Sequence, residues 1–280
     1  DRIYVGAHAG GMMVLHRKSG YIEYYNRHNS NLPSNNIYSI ISDGYGGLWV
    51  ASLEYLLHFD IDKRNFTIVD VDEDGHKLQQ YNRLLFCDSK KRIWAGGEMG
   101  ISVFNQVGTS LLPNTDFQIA SVLKQAFVNC FYETSSGYLW IGTRNGLFAL
   151  KESDKQFLQY TTENGLPSNV IYGILEDAYG RLWISTNQGL SCLNPESGKF
   201  RNFTIMDGLQ GNQFNAGAYC RKDNGYMLFG GVNGITSFRP ETLIDNPYAP
   251  KPVINKLFVH NKEVLPDDET GILKESIRSE

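Results

Sequence analysis

A chain of 280 residues with 26 Lys and Arg against 30 Asp and Glu carries a formal charge of -4 and no Lys/Arg-rich run, which argues against nucleic acid and anionic membrane surfaces as partners. Apolar residues make up 41% but are nowhere continuous over the roughly 18 positions that a transmembrane helix requires. The 28 Gly, 16 Tyr and 15 Phe, with few Leu/Glu/Lys helical runs, favour strands and tight turns and hence an all-β class.

The first residues, "DRIYVGAHAG", begin in mid-pattern with neither an initiator Met nor a signal segment, and read as an excised fragment. Further along, "LPSNNIYSIISDGYGGLWVAS" at 32–52 returns as "LPSNVIYGILEDAYGRLWIST" at 166–186, a distance of 134, close to three times 45. Between and beyond them an aromatic or large apolar residue follows a turn at a steady interval. These anchors are Tyr4, Trp49, Trp94, Trp140, Trp183 and Leu228, at spacings of 45, 45, 46, 43 and 45. Six residues after each anchor stands Gly10, Gly100, Gly146, Gly189 or Gly234, with Tyr55 the departure in the second unit.

Each unit offers four short apolar strands bounded by Gly, Asn, Asp or Pro. Asp43 to Gly46 and Asp177 to Gly180 suit hairpin loops whose final Gly takes a positive φ; "DSKKRIW" in the third unit lacks that Gly. Four strands at a period near 45 residues predict a β-propeller of four-stranded antiparallel blades, about five and a half of them over residues 1–245. The first unit lacks its innermost strand, and the sixth stops after three. Trp49, Trp94, Trp140 and Trp183 are predicted to fill the wedges between blades, with Gly100, Gly146, Gly189 and Gly234 as turn residues. Residues 246–252, with Pro247, Pro250 and Pro252 close by or within, form an extended linker, and 253–280 read as the start of a truncated β-sandwich.

Cys87, Cys130, Cys192 and Cys220 show no CxxC pairing and no His at a metal-like interval, so neither a metal nor a cofactor is expected, and the thiols read as small buried hydrophobes. Ligand contacts are sought where blades break the pattern, on the connectors that enter the first strands and on the hairpins at the Gly slots. "QQYNR" supplies Tyr81 and Arg83, "GNQFN" supplies Gln213 and Asn215, and the hairpins supply Glu98, Arg144, Asn145, Asn187 and Gln188. Tyr, Arg and amides together suit a sugar carrying acidic groups, which Arg grips bidentately. The repeated connector asparagines, Asn35, Asn36, Asn82, Asn129, Asn169 and Asn215, are expected first to satisfy local backbone groups. Catalysis is not expected. A glycosidase needs two facing carboxylates, and Asp43 and Asp177 precede their tryptophans by six residues rather than the five of a sialidase Asp-box. A propeller lyase or hydrolase, and a protein-binding or dimerisation scaffold, stay open as alternatives.

The repeat "LPSNNIYSIISDGYGGLWVAS" resembles the two-component regulator propeller repeat of hybrid two-component proteins in Bacteroides-type bacteria. The ending "FNAGAYCRKDNGYMLFGGVNGITSFRPETLIDNPYAPKPVINKLFVHNKEV" resembles that family's last blade running into its three-tyrosine β-sandwich domain. The resemblance implies a periplasmic ectodomain whose parent, anchored in the inner membrane, is a homodimeric histidine kinase with a receiver and a DNA-binding module. It further implies oligosaccharide input and control of transcription of glycan-utilisation genes. The partners implied for this region are an oligosaccharide and the rest of the ectodomain.

Overall fold

The computed structural model describes residues 1–52, 55–69, 82–114, 121–151, 156–243 and 256–264. Residues 1–240 form one unit built from six antiparallel sheets in chain order, and no α-helix occurs among the described residues. Blade 1 has three strands, β1 (Arg2–Ala7), β2 (Gly11–His16) and β3 (Ile22–Tyr25). Blade 2 is β4 (Ile37–Ser42), β5 (Leu48–Ser52), β6 (Leu56–Asp60) and β7 (Asn65–Ile68), and blade 3 is β8 (Asn82–Cys87), β9 (Arg92–Gly97), β10 (Gly100–Val107) and β11 (Ser110–Pro113). Blade 4 holds β12 (Val128–Glu133), β13 (Leu139–Thr143), β14 (Gly146–Lys151) and β15 (Gln156–Tyr160). Blade 5 holds β16 (Ile171–Glu176), β17 (Leu182–Thr186), β18 (Gly189–Asn194) and β19 (Lys199–Phe203). Blade 6 ends after β20 (Phe214–Arg221), β21 (Met227–Gly231) and β22 (Gly234–Phe238). Each blade is a meander in which consecutive strands pair. The shortened first and last blades match the strand count expected from the repeat.

The first strands of blades 2 to 6 lie side by side, β4 by β8, β8 by β12, β12 by β16 and β16 by β20, so they form the inner layer of the propeller. The anchors fill the wedges between blades. Trp49 packs with Leu85 and Phe104 of blade 3, Trp94 with Phe131 and Ile141 of blade 4, Trp140 with Ile171 and Leu182 of blade 5, and Trp183 with Phe214 and Phe229 of blade 6. All four indoles are at most 2% exposed, and burying rings of this size is worth on the order of 2–3 kcal/mol each. Two residues after the anchor the chain needs a small residue, because the next blade's inner strand crosses there. A Cβ on Gly142 would stand 2.7 Å from Ile171 Cγ2.

The Gly slots follow from a close approach of backbone. Gly146 and Gly189 have φ of 118° and 108°, and a Cβ at Gly189 would stand 2.3 Å from the Phe203 carbonyl oxygen. Their amides donate to the Asn169 and Asn212 carbonyls at 2.8 and 2.6 Å. In blade 1 the equivalent bond, to the Asn35 carbonyl at 2.7 Å, comes from Gly11 rather than the expected Gly10, since that hairpin is one residue longer. Cys130 and Cys192 are buried and Cys87 half-buried, but Cys220 is exposed, contrary to expectation, because it lies in the last blade, where no further blade covers it. Burial pushes the Cys130 thiol up to about 12 and the Cys192 thiol to about 11, so neither is a ready nucleophile. The expected linker lies outside the described residues. Beyond it, β23 (Leu257–Val259) and β24 (Lys262–Val264) form a separate hairpin.

Candidate functional site

An antiparallel meander brings the start of its first strand, the hairpin between its second and third strands and the incoming connector to the same face. On that face every inner strand carries a β-bulge. Register breaks between Ile37 and Ser39, Asn82 and Leu84, Val128 and Cys130, and Ile171 and Gly173 leave Tyr38, Arg83, Asn129 and Tyr172 outside the ladder. In blade 6 the break spans Phe214 to Tyr219 and so releases Asn215 to Ala218. A bulge re-aims the side chain it releases, so each of these blades offers one residue that its sheet does not use. Tyr38 and Tyr172 were missed by sequence reasoning. The signal was present, since positions 38, 83, 129 and 172 each stand eleven residues before their anchor.

The sequence-predicted residues distribute over this face. Tyr81 lies outside the described residues. Arg83 meets Glu98 at 2.6 Å, and its guanidinium stands 5.0 Å from the centre of the Tyr38 ring, which in turn lies 6.3 Å from His8 of blade 1. Those four residues from three blades form one cluster, in which Arg83 Nε is buried without a partner. Arg144 lies 3.6 Å from the Phe127 ring centre. Asn145 and Gln188 are fixed by their backbones, whose amides donate to Thr143 Oγ1 at 2.9 Å and Thr186 Oγ1 at 3.0 Å. Asn187 is half-buried, with its Oδ1 unpartnered. Gln213 is exposed and accepts through its carbonyl from Gln210 Nε2 at 3.1 Å, while Asn215 is an exposed bulge residue. No contact joins Arg144, Asn187 or Asn215 to the Arg83 cluster among the described residues.

Asn35, Asn36, Asn129 and Asn169 do the structural work expected of the connector asparagines. Asn35 and Asn169 accept the amides of Arg27 and Thr162 at 2.9 and 2.8 Å, Asn36 accepts that of Ala9 at 2.7 Å, and Asn129 donates to the Ile171 carbonyl of the next blade at 2.8 Å. Asn212, not singled out from sequence, accepts from Ile205 in the same way at 2.8 Å. Pro33, Asn36, Arg27 and Tyr55 line a cavity of about 470 Å³ between blades 1 and 2 on this face.

At the opposite face, the hairpins between first and second strands hold the acids. Asp88 accepts the backbone amides of Lys90 and Arg92 at 3.0 and 2.8 Å, and through Oδ2 takes both Arg92 Nε at 2.6 Å and the Trp94 indole N–H at 2.8 Å. Asp177 repeats the arrangement with Arg181 at 2.7 Å and Trp183 at 2.9 Å. Blade 2 has Gly47 where these Arg stand, and His58 from β6 takes over, 2.8 Å from Asp43 Oδ2. Burial opposes the charge on Asp43, but the hydrogen bond to His58 and those from the Tyr45 and Gly47 amides outweigh it and hold the carboxyl below its usual range. These carboxylates are struts of the blades.

Three stretches of the chain, 31–54, 123–145 and 165–188, match the model of the two-component regulator propeller family. They fall on blades 2, 4 and 5, so only blade 3 of the middle series has drifted beyond the match. Histidine kinase P4 of Formosa agariphila is 28% identical over 229 residues, which is 79% of this chain and 16% of that protein. The extracellular domain of a hybrid two-component system from B. thetaiotaomicron superposes with a TM-score of 0.75 at 20% identity, covering 95% of this chain and 37% of that one. A second such domain from B. thetaiotaomicron gives 0.68 at 19%, covering 84% and 30%. The chain therefore spans well under half the length of these relatives, and no helix among the described residues is long and apolar enough to cross a membrane. The chain is a β-propeller, three of whose blades match the two-component regulator propeller repeat.

Proposed function

We propose that this propeller is part of the extracytoplasmic sensor of a hybrid two-component histidine kinase, and that it receives an oligosaccharide on the face where the bulges lie. The observation that carries the reading is the contrast between the two faces. The hairpin face repeats an Asp-based strut in blades 2, 3 and 5, whereas the bulge slot holds Tyr38, Arg83, Asn129, Tyr172 and Asn215, a different residue in nearly every blade. Variation on a fixed frame suits recognition of a ligand with many polar groups. Tyrosine faces suit sugar rings, Asn187 has an unused carbonyl, and Arg144 offers a cation to a carboxylate or sulfate. Arg83 is already matched by Glu98, so the acidic group of such a sugar belongs at Arg144.

In the parent, occupancy must favour one geometry of a dimer for the signal to cross the inner membrane, because a ligand shifts only equilibria in which it binds the two states differently. Calorimetric titration of acidic and neutral glycan fragments into the protein tests the reading. Saturable binding that Tyr38→Ala and Arg144→Ala each weaken about tenfold is the expected outcome. Release of cleaved products would reassign the protein to the propeller hydrolases or lyases. Dimerisation with no glycan binding would make it a scaffold.

A further inference from the structure

Three of the four anchor indoles are hydrogen-bonded and one is not. Trp94 and Trp183 donate to Asp88 and Asp177. Trp49 cannot use Asp43, whose Oδ2 is taken by His58, and donates instead to Gln106 Oε1 at 3.2 Å. Gln106 belongs to β10 of the next blade and reaches across the groove between blades 2 and 3, where its Nε2 also donates to the Asp43 carbonyl at 2.6 Å. A carboxamide therefore sits at the wall of that groove, a cavity of about 670 Å³, accepting from the indole and donating to the hairpin backbone.

Blade 4 lacks both devices. Thr134 stands in the place of the aspartate, and its hydroxyl is engaged with the Tyr138 backbone and Ser136. Trp94 pairs with Val103 and Trp183 with Cys192, so the position matching Gln106 in blade 5 is Pro195, which has no side-chain acceptor. The Trp140 indole N–H is consequently buried with no partner, a costly state for a donor. The groove between blades 4 and 5, at about 350 Å³, has no carboxamide beside its indole, and its volume falls within the roughly 300–1,000 Å³ of small-molecule sites. Its walls are Tyr138, Trp140 and Tyr160, its rim Tyr179 and Leu158, exposed by 68% and 46%, and Glu196.

We propose that this groove binds the acetamido group of an N-acetylhexosamine. Its carbonyl would take the place of Gln106 Oε1 and accept from Trp140. The methyl group and the sugar ring then have aromatic walls to lie on, and Glu196 is an acceptor for ring hydroxyls. The site lies on the hairpin face and does not depend on the sensor reading for the bulge face.

The test follows the four indole N–H resonances by proton–nitrogen correlation NMR, with Trp140 assigned through Trp140→Phe. N-acetylglucosamine should shift the Trp140 resonance alone and saturably, while glucose and N-acetylglycinamide should bind at least about tenfold more weakly. Thr134→Asp, which restores the aspartate acceptor, should abolish the response. Pro195→Gln should do the same by giving Trp140 a carboxamide of the protein's own, and decides the matter if Thr134→Asp does not fold. A silent Trp140, an equal response to glucose or to the peptide amide, or unchanged binding in the two variants would overturn the assignment. None of these outcomes bears on binding at Arg144 or Tyr38, which is read by calorimetry on acidic fragments.

Discussion

Lys91 adopts a φ of 64° at the hairpin position where Gly46, Gly137, Gly180 and Gly225 stand in other blades, all at positive φ. A left-handed non-glycine residue costs roughly 1–2 kcal/mol, and the added chain freedom of Gly returns about half of that. Lys91→Gly should therefore stabilise the protein by about 0.5 kcal/mol, seen as a higher urea midpoint with an unchanged slope. The defect was legible as a missing Gly in "DSKKRIW", because the demand for positive φ is local and repeats with the sequence. The Arg83 to Glu98 pair was not legible. Both residues stood out singly, but their 2.6 Å approach depends on β8 pairing with β9 and on a bulge that the sequence does not mark.

The hairpin strut is shared by blades 2, 3 and 5, and blade 2 shows how it tolerates change. The aspartates were read as turn formers, which they are. Their grip on a tryptophan six residues later was hidden, since it needs the second strand to fold back along the first. The substitution of His58 for an arginine was further hidden, because it rests on the cross-strand pairing of Trp49 with His58. Asp43 is 1% exposed, and its carboxyl titrates below the ordinary 3.8 in the folded protein. Its contribution is thus complete above the unfolded value and lost as pH falls through the folded one. Asp43→Asn should cost about 1–3 kcal/mol at pH 7. The gap to the parent should close as urea titrations move below about pH 4. A gap that stays constant down the acid range would mean that the charge plays no part.

Within residues 1–240 the blades touch mainly their neighbours, with β12 of blade 4 also reaching β20 of blade 6, so stability adds largely along the series rather than belonging to one core. The period made this architecture readable from the anchors alone, whereas the exposure of the end blades follows from strand count. Ile3 and Val5 in blade 1 are 45% and 40% exposed, and Val232 and Ile235 in blade 6 are 59% and 65% exposed, while the second strands of blades 2, 4 and 5 are buried throughout. Hydrogen exchange should accordingly be slowest in β12 to β14 and β16 to β18 and fastest in β1 to β3 and β20 to β22; equal protection everywhere would instead show a single cooperative unit. The bulges add something to this additive design. A residue that lies outside every ladder can be exchanged with little effect on the sheet, even where it packs on the core as Tyr172 does, and the four-residue bulge of blade 6 shows that even its length is negotiable. The propeller thus keeps a row of interchangeable letters on an unchanging line, so that a new specificity can be spelled without rewriting the fold.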